Sequence, residues 1–259
     1  MICEKPLVPS LGDLDRLEAA EADATGRVFP VFQYRFGHGL AQLRALIGAG
    51  LAGRPYVAAL ETHWNRGADY YAVDWRGTWA GERGGAVLGH AIHIHDLLCF
   101  VLGPAASVHA ELATRVNDIE VEDCAALAIR MESGALATSS ITLGAAADTS
   151  RLRFCFERLT AESGTLPYTP AEGAWTFTAR APADQARVDA AAASVPAAPA
   201  GYAGLFAAIA TALTGGPDNS VTLLDARRSL EFVTATYASA RGGCPVALPP
   251  GKDHPLYGG

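Results

Sequence analysis

At 259 residues, half of them hydrophobic and 18% charged, the chain has ample material for a buried core and is not the composition of a disordered protein. A net charge of −7 and a pI near 5.5 argue against nucleic acid or an anionic membrane as the main partner. Five scattered cysteines with no CxxC pair read as reduced core thiols. With no signal-peptide pattern and no apolar run of membrane-spanning length, they point to a soluble, cytoplasmic protein.

The chain opens on Met1-Ile2-Cys3-Glu4-Lys5-Pro6, a short apolar run that reads as the end of a buried strand closed by Pro6. Ser10-Leu11-Gly12-Asp13 starts a short helix with leucines at 11, 14 and 17 on one face. Val28 to Phe36 is a predicted strand, irregular at Pro30. A helix follows over Gly39 to Ile47, then a strand over Tyr56 to Trp64 and a loop rich in aromatics and arginine up to Arg83. Gly84-Gly85 opens an apolar helix to Leu102, closed by Gly103-Pro104.

Beyond it the pattern turns extended. Strands are predicted over Ser107–Val116, Val121–Met131, Ala135–Leu143, Arg151–Arg158 and Trp175–Arg180. The acidic stretch from Asn117 to Asp123 reads as a solvated turn and strand edge, and the Ala- and Pro-rich stretch Ala181–Gly201 as an exposed loop. Helices over Tyr202–Leu213 and Leu223–Ala240 close the chain. Consecutive strands backed by helices give an α+β class: an open, largely antiparallel sheet, preceded by the last unit of a Rossmann-type α/β domain.

Two constellations carry possible chemistry. In Gly84-Gly85-Ala86-Val87-Leu88-Gly89-His90-Ala91-Ile92-His93-Ile94-His95-Asp96, helical spacing puts residues 89, 93 and 96 on one face, with His90 and His95 turned to other sides. A histidine beside a carboxylate suits proton transfer, because its pKa lies near neutrality. The same histidines read equally well as core residues satisfied locally, and their spacing disfavours a zinc site, so no metal is expected. The second is Asp74-Trp75-Arg76-Gly77-Thr78-Trp79-Ala80-Gly81-Glu82, which offers a flat apolar ring and a guanidinium fork, or else a packed surface loop. Trp64, Arg66, Tyr70 and Tyr71 lie in the same aromatic segment.

Glu4-Lys5-Pro6, the Trp75-Arg76 pair and the Gly-Gly helix with its His-x-x-Asp, in this order, resemble the Gfo/Idh/MocA oxidoreductases. The resemblance implies hydride transfer between NAD or NADP and a sugar or polyol, with Lys5 and His93 as the catalytic pair. It implies Glu4, Lys5, Pro6, Trp75 and Arg76 on the cofactor side, and Tyr34, Arg35, Tyr71, His90 and Asp96 on the substrate side. Burial and cationic neighbours would lower the Lys5 pKa. Relatives usually carry an aspartate one turn before the histidine, where this chain has Gly89. Residues 1–36 are then expected to be a remnant of the nucleotide-binding domain, and 37–259 the substrate and oligomerisation domain of a homodimer or homotetramer. No glycine-rich phosphate loop follows a strand in these residues. The expectation is therefore a truncated and inactive oxidoreductase, or else a sugar-binding module completed by a separate nucleotide-binding chain.

Overall fold

The computed structural model describes residues 1–258. Its N-terminal part is small. Strand β1 (Ile2–Cys3) pairs in parallel with β2 (Phe29–Pro30), and helix α1 (Leu11–Ala22) connects them. The Ser10 hydroxyl caps α1 by accepting from the Asp13 amide at 3.1 Å. Leu11, Leu14 and Val28 pack with Leu223 and Leu230 of the last helix, so this unit is sealed onto the rest of the chain.

The expected strand over Val28–Phe36 is corrected. After Pro30 the chain turns into a 3₁₀ helix at Gln33–Arg35. Residues 28–32 are all buried, and that unbroken apolar run imitates a buried strand.

Helix α2 (His38–Gly48) leads into the first long strand, β3 (Pro55–Asn65). Two single-turn helices, α3 (Ala68–Tyr71) and α4 (Trp79–Glu82), punctuate the next loop. A π-helical turn at Val87–Ala91 then runs into α5 (Ile92–Leu102). The strands β4 (Ala105–Ala113), β5 (Cys124–Met131), β6 (Leu136–Thr142), β7 (Gly144–Phe156), β8 (Leu159–Glu162) and β9 (Thr176–Ala179) follow. Helices α6 (Gln185–Ala193), α7 (Gly201–Leu213) and α8 (Leu223–Gly242) and the short β10 (Val246–Ala247) complete the chain.

The eight-stranded sheet has the order β10-β4-β5-β6-β3-β7-β8-β9, and only the β3–β6 pair is parallel. Alternation sends Ala58, Leu60, Thr62 and Trp64 of β3 inward, beside Leu127 and Ile129 of β5 and Leu152 and Phe154 of β7. Helices α5 and α8 cover this face. The opposite face is open and shows Val57, Ala126, Ala128, Leu136 and Thr138. A one-residue slip would exchange the two faces, so the burial pattern sets the register.

Four other expectations change. Ala181–Gly201 is not all loop: alanine favours helix, and α6 buries Val188 and Ala192 on one face, with Gln42 Nε2 donating to the Ala192 carbonyl at 3.1 Å. The acidic stretch is not solvated at its end, since Glu122 and Asp123 are buried. Asp123 accepts the backbone amides of Arg115, Val116 and Asn117. The cysteines are free, as expected; Cys99 and Cys3 pack against the two cores, but Cys244 is exposed and is not a core thiol. Finally, the stretch Trp79–Leu102 does reach the length and hydropathy of a membrane span, yet 78% of its apolar window is buried inside the fold as the layer beneath the sheet.

Candidate functional site

The site forms where the N-terminal segment meets the π-helical turn. Gly85 begins it by close approach: a Cβ there would sit 1.9 Å from the Glu122 carbonyl oxygen, so only glycine fits. The buried Glu122 carboxylate accepts the Gly85 and Val87 amides and the Tyr237 hydroxyl, the last at 2.8 Å, and anchors the turn. A π turn inserts one residue into the helical ladder and changes which side chains share a face.

Lys5 reaches this turn from the other side. Its Nζ donates to the Gly89 carbonyl at 2.6 Å. Burial pulls its ammonium below the ordinary lysine value, while Glu4 and Glu82 pull it partly back. Among the protein's own groups, desolvation does the lowering, against two carboxylates.

His93 and His90 both lie within electrostatic reach of Lys5. His93 stacks on Tyr34 with ring centroids 4.5 Å apart and meets the Phe32 edge at 5.8 Å. Burial lowers the His93 pKa well below its ordinary value, with Lys5 and His90 adding to the effect. His90 is not turned away, as simple helical spacing suggested. It meets Trp64 edge-on at 5.3 Å and Tyr70 at 5.8 Å, and burial lowers its pKa to about 3. Neither ring hydrogen-bonds to the protein, and the nitrogen sealed from solvent in each is Nδ1. Nε2 is therefore the edge left for a ligand.

An aromatic and charged wall faces the two histidines. Arg66 pairs with Asp148 at 2.9 Å, donates to the Tyr168 hydroxyl, and lies over the rings of Trp64 and Tyr70. Arg76 lies 3.9 Å over Tyr70 and 5.1 Å from Trp75, and its buried Nε has no partner. Trp75 is half exposed. Tyr71 stands behind Tyr70, edge-on at 5.0 Å. Glu4 is exposed and accepts from Tyr202 at 3.4 Å. Pro6 borders a groove of about 360 Å³ shared with Trp79, Arg83 and Arg241.

Arg35 and Asp96 are placed otherwise than expected. Arg35 makes a two-pronged contact with Asp96, Nε to Oδ2 at 2.7 Å and a terminal nitrogen to Oδ1 at 2.6 Å, and it also meets Asp225 at 3.0 Å. All three side chains are more than four-fifths buried, and Arg35 rests 4.5 Å over Phe100. Such a closed pair has nothing free for a substrate, so both residues hold the scaffold. Asp148, Tyr168 and Tyr202 join the site unannounced by any motif. They come from a strand, a loop and a helix start, which only the fold brings together.

Residues 40–162 match the model of the GFO/IDH/MocA C-terminal domain. The WlbA dehydrogenase from Bordetella pertussis, solved with NADH and UDP-GlcNAcA, superposes with a TM-score of 0.81 at 28% identity. The match spans 96% of this chain and 72% of that one. In this domain and in its fold the chain is similar to the Gfo/Idh/MocA oxidoreductases. The WlbA enzyme from Chromobacterium violaceum, also with NADH and UDP-GlcNAcA, gives a TM-score of 0.80 at 26% identity over 96% of this chain and 70% of its own. A levoglucosan dehydrogenase complex with NADH and levoglucosan shares the fold at 19% identity, with a TM-score of 0.76 over 96% and 74% of the two chains. Within the Gfo/Idh/MocA fold, then, the Lys5–Gly89 junction and the two histidines lie between the N-terminal unit and the large sheet.

Proposed function

We propose that this chain supplies the substrate side and the proton-transfer pair of an oxidoreductase moving hydride between NAD(P) and a sugar or polyol hydroxyl or carbonyl. The observation that carries this reading is the meeting of Lys5 with His90 on the π turn and His93 at the start of α5, with both histidines free of protein hydrogen bonds. The complexes of the two WlbA enzymes with NADH and a nucleotide sugar support it. In this reading residues 1–36 end a nucleotide-binding unit and 37–259 form the substrate and oligomerisation domain.

The nicotinamide end of the cofactor fits the residues present, because Arg76 Nε is buried without a partner and the Trp75 ring is open beside it. Glu4, Lys5 and Pro6 would hold that end together with Trp75 and Arg76. When bound, the nicotinamide supplies the hydride acceptor. On the substrate, loss of the carbinol hydride and of the hydroxyl proton leaves a carbonyl, and the neutral Lys5 amine takes that proton at Nζ. Desolvation favours the amine, so the lysine is poised for this role. His93 stays neutral and fixes the same hydroxyl through Nε2, its ring held by Tyr34. Trp64, Tyr70 and Tyr71 form the apolar side of a sugar site. The open sheet face, with Val57 and Leu136 exposed, is the surface proposed for a homodimer or homotetramer.

The test is absorbance at 340 nm for the chain joined to a nucleotide-binding unit, with NAD⁺ or NADP⁺ and a panel of aldoses, uronates and polyols. Turnover that falls about a hundred- to ten-thousand-fold in Lys5→Ala supports the reading. Turnover unchanged in both Lys5→Ala and His93→Ala contradicts it. Sugar binding without turnover favours the binding-module alternative.

A further inference from the structure

A groove of about 360 Å³ opens between α8, the α4 turn and the segment after Lys5. Leu230, Thr234, Tyr237 and Arg241 of α8 line it, and their spacing of four, three and four residues places them on one helix face. Leu88 and Val233 add to an apolar floor. Of the residues assigned to hydride transfer only Pro6 borders this space; Lys5, His90, His93, Trp75 and Arg76 do not.

The groove is charged with one sign. Arg83 and Arg241 line it, and no acidic residue does. Neither arginine has a carboxylate within 4 Å among the described residues. Glu120 and Glu122 border the neighbouring cleft beyond Trp79, where the Trp79 amide and the Tyr237 hydroxyl engage them.

Two further observations show that the groove is more than a gap between surface arginines. Thr234 is only 8% exposed, and its hydroxyl makes no hydrogen bond to the described residues, whereas Thr236 bonds back to the Phe232 carbonyl at 2.8 Å. That hydroxyl is not sealed inside the protein, so it opens on the groove. Arg83 is the one non-glycine residue with a positive φ, 62°, among the described residues. It caps α4 in the left-handed conformation that normally selects glycine. An arginine retained at a strained position argues for a use of its side chain.

We infer that this groove binds an aryl carboxylate, its carboxylate between Arg83 and Arg241 and its ring on the apolar floor beside Trp79. The Trp79 ring is 39% exposed, stands edge-on to Tyr237 at 5.7 Å and has the Arg241 guanidinium 5.8 Å from its centroid. It therefore offers a flat surface to a second ring next to the cation that holds the anion. The Thr234 hydroxyl supplies a donor from the floor.

The experiment is calorimetric titration of the full chain with 2-naphthoate and with 2-naphthamide, its uncharged match. The carboxylate is expected to bind at least about tenfold more tightly than the amide, because its hydrogen bonds to arginine are charge-assisted. Arg241→Gln should remove most of that preference, and Thr234→Val should weaken naphthoate binding at nearly constant volume. Arg83→Gly separates binding from folding: it relieves the backbone, so it should melt higher than wild type while losing the preference. Equal affinities, no measurable binding, or a preference that survives in both Arg83→Gly and Arg241→Gln would overturn the inference. Displacement of naphthoate by NADH would give the groove to the cofactor and overturn it as a separate site, whereas binding unchanged at saturating NADH supports it. Loss of binding in the chain joined to a nucleotide-binding unit would show that unit docking there, and would overturn it too. No readout depends on hydride transfer, so the inference stands or falls apart from the oxidoreductase reading.

Discussion

The Lys5 ammonium donates to the Gly89 carbonyl at 2.6 Å, across 84 residues of chain. This contact fixes the N-terminal segment against the π turn that carries His90 and leads to His93. It holds a cationic group in a poorly hydrated place without giving it a carboxylate partner. Both effects suit proton exchange, because the charged and neutral forms are brought closer in free energy.

Oxidation of an alcohol needs Lys5 as the free amine. Because its folded pKa is lowered, the amine is populated at lower pH than for a free lysine. The expected kcat/KM for oxidation therefore rises with pH through the lowered Lys5 value and levels off above it. Lys5→Met should remove this limb and reduce the rate about a hundred- to ten-thousand-fold. A pH profile of the wild type and variant, taken between pH 5 and 10, is the check.

The buried histidines should make the fold acid-sensitive. His90 and His95 are lowered to about 3 and His93 well below its ordinary 6.5. A depressed pKa gives stability that is complete above 6.5 and lost as pH falls, at about 1.4 kcal/mol per pH unit for each histidine. The buried carboxyls of Asp96 and Glu122, raised by burial, act in the opposite sense. Urea unfolding of His95→Gln is therefore best compared with wild type: the variant should lose less stability between pH 6.5 and 4, by about 1 kcal/mol per unit. An identical slope would show that His95 is not buried in its neutral form.

Arg35→Ala should destabilise by about 3–5 kcal/mol, since it leaves the Asp96 carboxylate buried without its partner. The double variant Arg35→Met with Asp96→Leu should recover most of that loss. Denaturant unfolding of both tests this. Additive losses in the double variant would mean that the two charges are not coupled.

Two glycines four residues apart should respond in opposite directions. Gly85→Ala forces a shift against the Glu122 backbone, and a loss of about 1–3 kcal/mol or more is expected. Gly89→Ala meets open space and should stabilise by about 0.5–1 kcal/mol. Thermal melts of the pair give the answer.

Much of this was legible in the sequence. The alternation in β5 to β7, the Ser10 cap and the Gly84-Gly85 helix start follow from local chemistry, and family order pointed to Lys5 and His93. What stayed hidden depends on contacts between distant segments. The π turn is set by Glu122, which lies 35 residues beyond Val87, and it brings His90 to the site. Arg35 pairs with Asp96 across 61 residues, so neither sequence position shows that both charges are spent. Tyr168 reaches Trp64 from a loop with no periodic signal, and α6 was hidden by an alanine composition shared by helix and loop.

The most direct measurement is the ionisation of Lys5 itself. The chain has only two lysines, Lys5 and Lys252, so ¹³Cε-lysine labelling gives two signals to follow by NMR. Lys252, bonded to Asp15, should titrate above the ordinary 10.5. Lys5 should titrate below 10.5, and its signal should vanish in Lys5→Arg. Two signals that both titrate at or above 10.5 would contradict the proton-transfer role assigned to Lys5.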